Sequence, residues 1–145
     1  MEGRKKMSKL SKPELSKKNP YWIDKHRYYE LKHFCLQYPT WKKAYESLDG
    51  ISKKGDQVMI FSQNGTHGDP TAKCALAKTY YLNRIEMVER VAKDTDSELA
   101  SYILIGVTEG CSYDVLRARH DIPCCKDVYY ELYRKFFWLL SLARE

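Results

Sequence analysis

From Asp69 to Ala143, apolar residues recur three or four positions apart, and the run is broken only by a few polar or turn-forming groups. That interval belongs to one face of a helix, because strand side chains would alternate every second position. An all-α fold is the expectation. Its longest element is predicted at 70–94. Asp69 can accept from the free amide groups as an N-cap, Pro70 suits the first helical position, and Ala77, Tyr81, Ile85, Val88 and Ala92 share a face. At 1.5 Å per residue this scaffold helix would run on the order of 35 Å, with Glu86 and Arg90 supporting its exposed side. It could also supply half of a dimer interface.

A trihelical unit is predicted over 95–145. Thr95 and Glu98 stand at capping-box spacing, with Asp96 competing for the cap, and Leu99, Ile103 and Val107 would line the buried side of a helix that stops at Gly110. Ser112 can cap a short helix from Tyr113 to His120, in which Val115, Leu116 and Arg119 are the plausible inward positions. Ile122 and Pro123 form a turn, and a last helix should run from Cys125 to Ala143. Val128, Leu132, Phe136, Leu139 and Ala143 read as its inward stripe, widened by Tyr129, Tyr133 and Leu140. Lys126, Tyr130 and Arg134, four apart, then share the opposite flank.

Upstream, residues 20–50 read as an aromatic helical hairpin. Tyr28, Leu31, Phe34, Cys35 and Tyr38 mark its first helix, which Pro39 should end; a second, from about Trp41 to Leu48, presents Trp41, Ala44, Tyr45 and Leu48 before Asp49-Gly50 closes it. Residues 51–69 carry glycines, polar turn pairs and one apolar patch, Val58 to Phe61, and are expected to form a loop.

The net charge of +6 looks like a nucleic-acid signature until it is located. Arg4, Lys5, Lys6, Lys9, Lys12, Lys17 and Lys18 face only Glu2 and Glu14, so the excess lies almost wholly in a basic flexible tail at 1–19. Such a tail can track phosphates by releasing counterions, and Arg4, Lys5 and Lys6 are its candidate contacts, although aid to solubility is as simple a reading. No apolar run approaches the roughly 18 residues of a membrane span, and the N-terminus lacks a secretory pattern. Five cysteines, an odd number with Cys124 and Cys125 adjacent, fit free thiols in a reducing cytoplasm. They offer no paired C-x-x-C, so neither a metal nor a cofactor is expected. His26, His33, His67 and His120 fall in separate segments without a catalytic companion at motif spacing, and no enzyme is predicted.

A short helix, a turn and a longer helix bearing Lys126, Tyr130 and Arg134 suit a major groove, where cations meet phosphate or guanine edges and an aromatic ring packs on sugar or a thymine methyl. Any solvated helix also carries cations on its wet side. The run "TEGCSYDVLRARHDIPCCKDVYYELYRKFFWLL" resembles the C-terminal helix-turn-helix of sigma-factor promoter readers, and the whole chain resembles the RinA/ArpU-type late transcription regulators of phages and prophages. The resemblance is specific over Glu109–Ser141. It implies sequence-specific binding of double-stranded DNA upstream of late or packaging genes, with Lys126, Tyr130 and Arg134 in recognition-helix positions. Arg117 and Lys135 join them as candidate DNA contacts. Residues 110–145 carry nearly balanced charge, so help is expected from a homodimer, the tail or host RNA polymerase. Two other readings compete. One is a helical inhibitor or adaptor that occupies a host protein with the aromatic hairpin and the 50–69 loop, for which Tyr21, Trp22 and Trp41 should form a surface patch; the other is a ring-forming packaging subunit.

Overall fold

The computed structural model describes residues 18–53 and 70–145, with side chains assigned over 18–49 and 70–145. Among these the regular structure is entirely helical: α1 (Lys25–Leu36), α2 (Tyr38–Lys53), α3 (Pro70–Thr95), α4 (Ala100–Glu109), α5 (Tyr113–His120) and α6 (Lys126–Ala143). The expected all-α class holds. The Val58–Phe61 patch, His67, the Asp69 cap and the tail residues Arg4, Lys5 and Lys6 lie outside the described residues.

The chain divides into two compact units, one of residues 18–37 with Met87–Glu145 and one within Tyr38–Glu86. The division falls inside the expected 20–50 hairpin. Asp24 caps α1 by accepting from the His26 amide at 3.0 Å, and Gln37 terminates it. Pro39 therefore does not end the first helix; it sits in the opening turn of α2, where a missing N–H costs nothing. Nor does Asp49-Gly50 close the second, because α2 continues through Gly50 to Lys53.

In the Tyr38–Glu86 unit, Tyr38 and Trp41 are buried. The Cys74 thiol lies 3.6 Å from the Leu48 carbonyl, and Lys78 pairs with Asp49 at 3.0 Å. That hydrogen bond is the leading cause of the raised Lys78 pKa. Leu76 and Tyr80 stay exposed, with the Arg84 guanidinium stacked 3.5 Å from the Tyr80 ring centre.

The other unit is built from α1, α4, α5, α6 and the last turns of α3. α4 packs against α1, α5 and α6. Its core holds Leu31 and Cys35 of α1, Val88 of α3, Ile103 of α4, Leu116 of α5, Ile122 of the turn, and Tyr129, Phe136, Phe137 and Leu140 of α6. Burial pushes the Cys35 thiol far up, against the smaller opposing pull of Arg144. The α1 face continues into α6 through a Tyr28 hydroxyl 2.7 Å from that of Tyr133, and through Arg27, which donates to the Ser141 hydroxyl at 3.0 Å and carbonyl at 2.9 Å. Burial also raises the Tyr133 pKa well above the ordinary phenol value, so this phenol stays a neutral donor and acceptor.

Local chemistry decides the α3–α4 and α4–α5 junctions. Neither expected residue caps α4, whose N-cap is Leu99 with no side-chain bond; Asp96 holds the turn before it, its Oδ1 accepting from the Glu98 and Leu99 amides, both at 2.9 Å. Thr95 instead ends α3, buried, with its hydroxyl donating to the Val91 carbonyl at 2.7 Å. Gly110 stops α4 at φ 69°, a left-handed conformation that favours glycine, and Cys111 N–H closes the end on the Gly106 carbonyl at 3.1 Å. Ser112 then caps α5 by accepting from Val115 N–H at 3.3 Å. Ser112→Ala is expected to cost about 1 kcal/mol of stability, read by denaturant titration.

Candidate nucleic-acid interface

The α5–turn–α6 segment is held as one piece. Asp121 ends α5 in the left-handed region at φ 51°, and Ile122 drops fully into a small core with Leu116 and Tyr129. Arg117 reaches over the turn, donating to the Ile122 carbonyl at 2.9 Å and pairing with Asp121 at 3.3 Å. From the other side, the Tyr113 hydroxyl donates to the Cys124 carbonyl at 2.5 Å, and the Tyr113 amide donates to the Tyr130 hydroxyl at 3.3 Å. Both ends of α5 are thus tied to the start of α6.

The rotation of α6 about its own axis is set by Tyr129. Its ring is 1% exposed, and its hydroxyl occupies the space that a Cβ on Gly106 of α4 would need. Only glycine there admits the phenol. The hydroxyl finds no hydrogen-bond partner among the described residues, and burial drives its pKa far above the phenol range. An orphaned buried hydroxyl is costly, so the ring's packing must outweigh it.

This placement corrects the expected inward stripe. Tyr129, Phe136, Phe137 and Leu140 are buried, Leu132, Tyr133 and Leu139 are half-buried, and Val128 and Ala143 face solvent. Adjacent helical positions are about 100° apart, so the buried face is centred on the residues expected only to widen the stripe, Tyr129, Tyr133 and Leu140, and leaves out Val128 and Ala143. Arg119, expected inward on α5, is likewise exposed.

The predicted DNA-contacting side chains consequently stand on a flank of α6 rather than at its crest. Lys126, with its side chain 39% exposed, lies 3.9 Å from Asp114; Tyr130 is half-buried against the Tyr129 and Tyr133 rings; Arg134, 13% exposed, lies 3.6 Å from Glu131. The three line a shallow depression of about 200 Å³ with Asp127 and Glu131. Arg117 is 57% exposed but occupied with the turn, and Lys135 is half-buried. The residues most exposed at the start of α6 are Asp127, Val128 and Glu131. Sequence periodicity misses Val128 because 128, 132, 136 and 139 match helical spacing as well as 129, 133, 136 and 140 do. The one available signal is side-chain bulk, which is greater on the second set.

The aromatic patch expected of a protein-binding adaptor is not presented: Trp41 is buried, Trp22 is half-buried, and Tyr21 packs on Trp138 with ring centres 5.6 Å apart. Among the described residues no group of three His, Cys, Asp or Glu could hold a metal ion, and no helix is long and apolar enough to cross a membrane. The chain matches no family model, no curated protein and no solved structure.

Proposed function

We propose that the chain is a sequence-specific DNA-binding regulator of the RinA/ArpU type, acting by binding alone, with α5 and α6 as its helix-turn-helix and α6 as the reading helix. The observation that carries this is the clamped α4–α5–α6 arrangement: α6 begins immediately after a turn tied down at Ile122 and Cys124, so its first two turns project as a preset unit. Readers of the major groove make their base contacts from that end of the second helix.

Lys126 pairs with the exposed Asp114 at 3.9 Å, and a pair so open to solvent is worth little in water. Exchanging Asp114 for a phosphate therefore costs little at Lys126, while the Arg134 guanidinium, 13% exposed, would have to turn outward to reach one. Tyr130 on the same flank supplies a ring for sugar contact. The carboxylates of Asp127 and Glu131 weaken non-specific affinity, because phosphates repel them; in a groove they can accept only from base amino groups, which favours selectivity over tightness. The extra affinity would come from the basic tail, from a second copy, or from host RNA polymerase, and the exposed Leu76 and Tyr80 offer apolar area for a protein contact.

Selection from a random duplex pool at fixed salt should enrich a defined site. On that site Lys126→Ala and Arg134→Ala should each weaken binding by roughly tenfold, within the range for a lost base contact, or lower the salt slope by about one if the contact is to phosphate. A pool that shows no enrichment would overturn the reading.

A further inference from the structure

Val128 is the third residue of α6 and is 46% exposed, although it is fully apolar. Its exposure is enforced. Tyr129 is held in the Gly106 notch on one side, and Tyr130 is bonded to the Tyr113 amide beyond it, so α6 cannot roll to bury the valine. Neither neighbour on the outward face would cover it in water, because Asp127 and Glu131 are themselves exposed and charged. A β-branched residue in the opening turn also brings no gain in helix propensity over alanine. The position thus carries an apolar, rigid side chain with two γ-methyl groups, in the first turn of the helix proposed to read DNA, and between acceptor-only side chains.

In the major groove the one apolar feature of a base pair is the C5-methyl group of thymine. We propose that Val128 reads that methyl group, making one position of the site selective for thymine over cytosine and over uracil. This rests on the DNA-binding reading above. The stiffness of valine matters here: one preferred χ1 rotamer in a helix holds both methyls outward at little entropic cost on contact.

The test uses the full chain and a duplex recovered by pool selection, with each thymine replaced in turn by deoxyuridine, which removes only the methyl group and leaves pairing intact. At one position the wild-type chain should lose about fourfold in affinity, the equivalent of one methyl-sized group no longer withdrawn from water. Val128→Ala should bind the thymine and uracil duplexes alike, whereas Val128→Thr, which keeps one methyl, should still distinguish them. Helical circular dichroism and the melting midpoint of the variants, substituted at an exposed site, should match wild type. If no uracil substitution changes wild-type affinity, or if Val128→Ala remains as sensitive as wild type, the assignment is wrong while DNA binding itself stands. If the wild-type chain enriches no duplex, the DNA-binding reading fails and takes this assignment with it.

Discussion

Replacing Ile122 by alanine is expected to lower the unfolding free energy by about 2–5 kcal/mol, the range for truncating a buried aliphatic side chain where the surroundings relax only in part. Ile122 is fully buried although it lies in a turn, and it packs against Leu116 and Tyr129, which are contributed by the two helices that the turn joins. Its backbone is engaged as well, with its amide 3.5 Å from the Leu116 carbonyl and its carbonyl accepting from Arg117. Loss of the side chain therefore opens a cavity at the junction and frees the start of α6 at the same time. Because domains of this size are stable by only about 5–15 kcal/mol, such a loss should be plain as a lower urea midpoint with an unchanged slope. A loss under about 0.5 kcal/mol, the usual scale of surface changes, would mean that the turn is not part of the core. In a variant still folded at low temperature, affinity for a selected duplex should fall with it, since the reading helix would lose its fixed entry angle.

Gly106→Ala should go against the usual rule for helices. In a helix interior this change ordinarily stabilises by up to about 1 kcal/mol. Here the new Cβ would collide with the Tyr129 hydroxyl, while the Tyr129 Cζ and the Leu116 Cδ1, both at 3.3 Å, are tight enough that each would have to give by a few tenths of an ångström. The ring has little room to retreat, since those of Tyr113, Tyr130 and Tyr133 stand around it with centres 6.0, 5.1 and 6.1 Å away. Overpacking of this kind costs about 1–3 kcal/mol. Tyr129→Phe removes the very atom that clashes, and that atom has no hydrogen-bond partner among the described residues, so the single change should be close to neutral. The double variant should then recover most of the loss, giving a coupling energy of about 1 kcal/mol or more in a double-mutant cycle of urea titrations. Additive single effects would mean that the hydroxyl is not seated against Gly106.

The range of the interactions involved separates the features legible in the sequence from those that are not. Ser112 after Gly110 marks a helix start directly behind a helix stop, because capping and left-handed backbone are properties of a few adjacent residues. Pro39 is ambiguous because proline has two meanings, a stop for the segment before it and a favoured opening for the segment after it, and the choice is made by Gln37 ending α1. Thr95 and Asp96 are equally good caps by spacing, yet α4 begins only after Leu99; Asp96 bonds the intervening turn, and Thr95 bonds back to Val91 in the buried end of α3. The rotation of α6 is the largest departure. Two stripes one residue apart satisfy the same helical period, and the decision rests on Tyr129 meeting Gly106, a contact between different helices that no local pattern encodes. That rotation moves Lys126, Tyr130 and Arg134 to a flank and brings Val128 to the crest.

Whether the outward side of α6 meets a DNA duplex is tested most directly by amide chemical-shift mapping, with the full chain titrated against a duplex recovered by pool selection. The largest perturbations should fall on the Ser112 and Tyr113 amides at the start of α5 and on Lys126 to Lys135 of α6, with the Val128 methyl signals among the most affected. Perturbations confined to residues 38–86, with those of α6 unmoved, would contradict DNA reading by this helix.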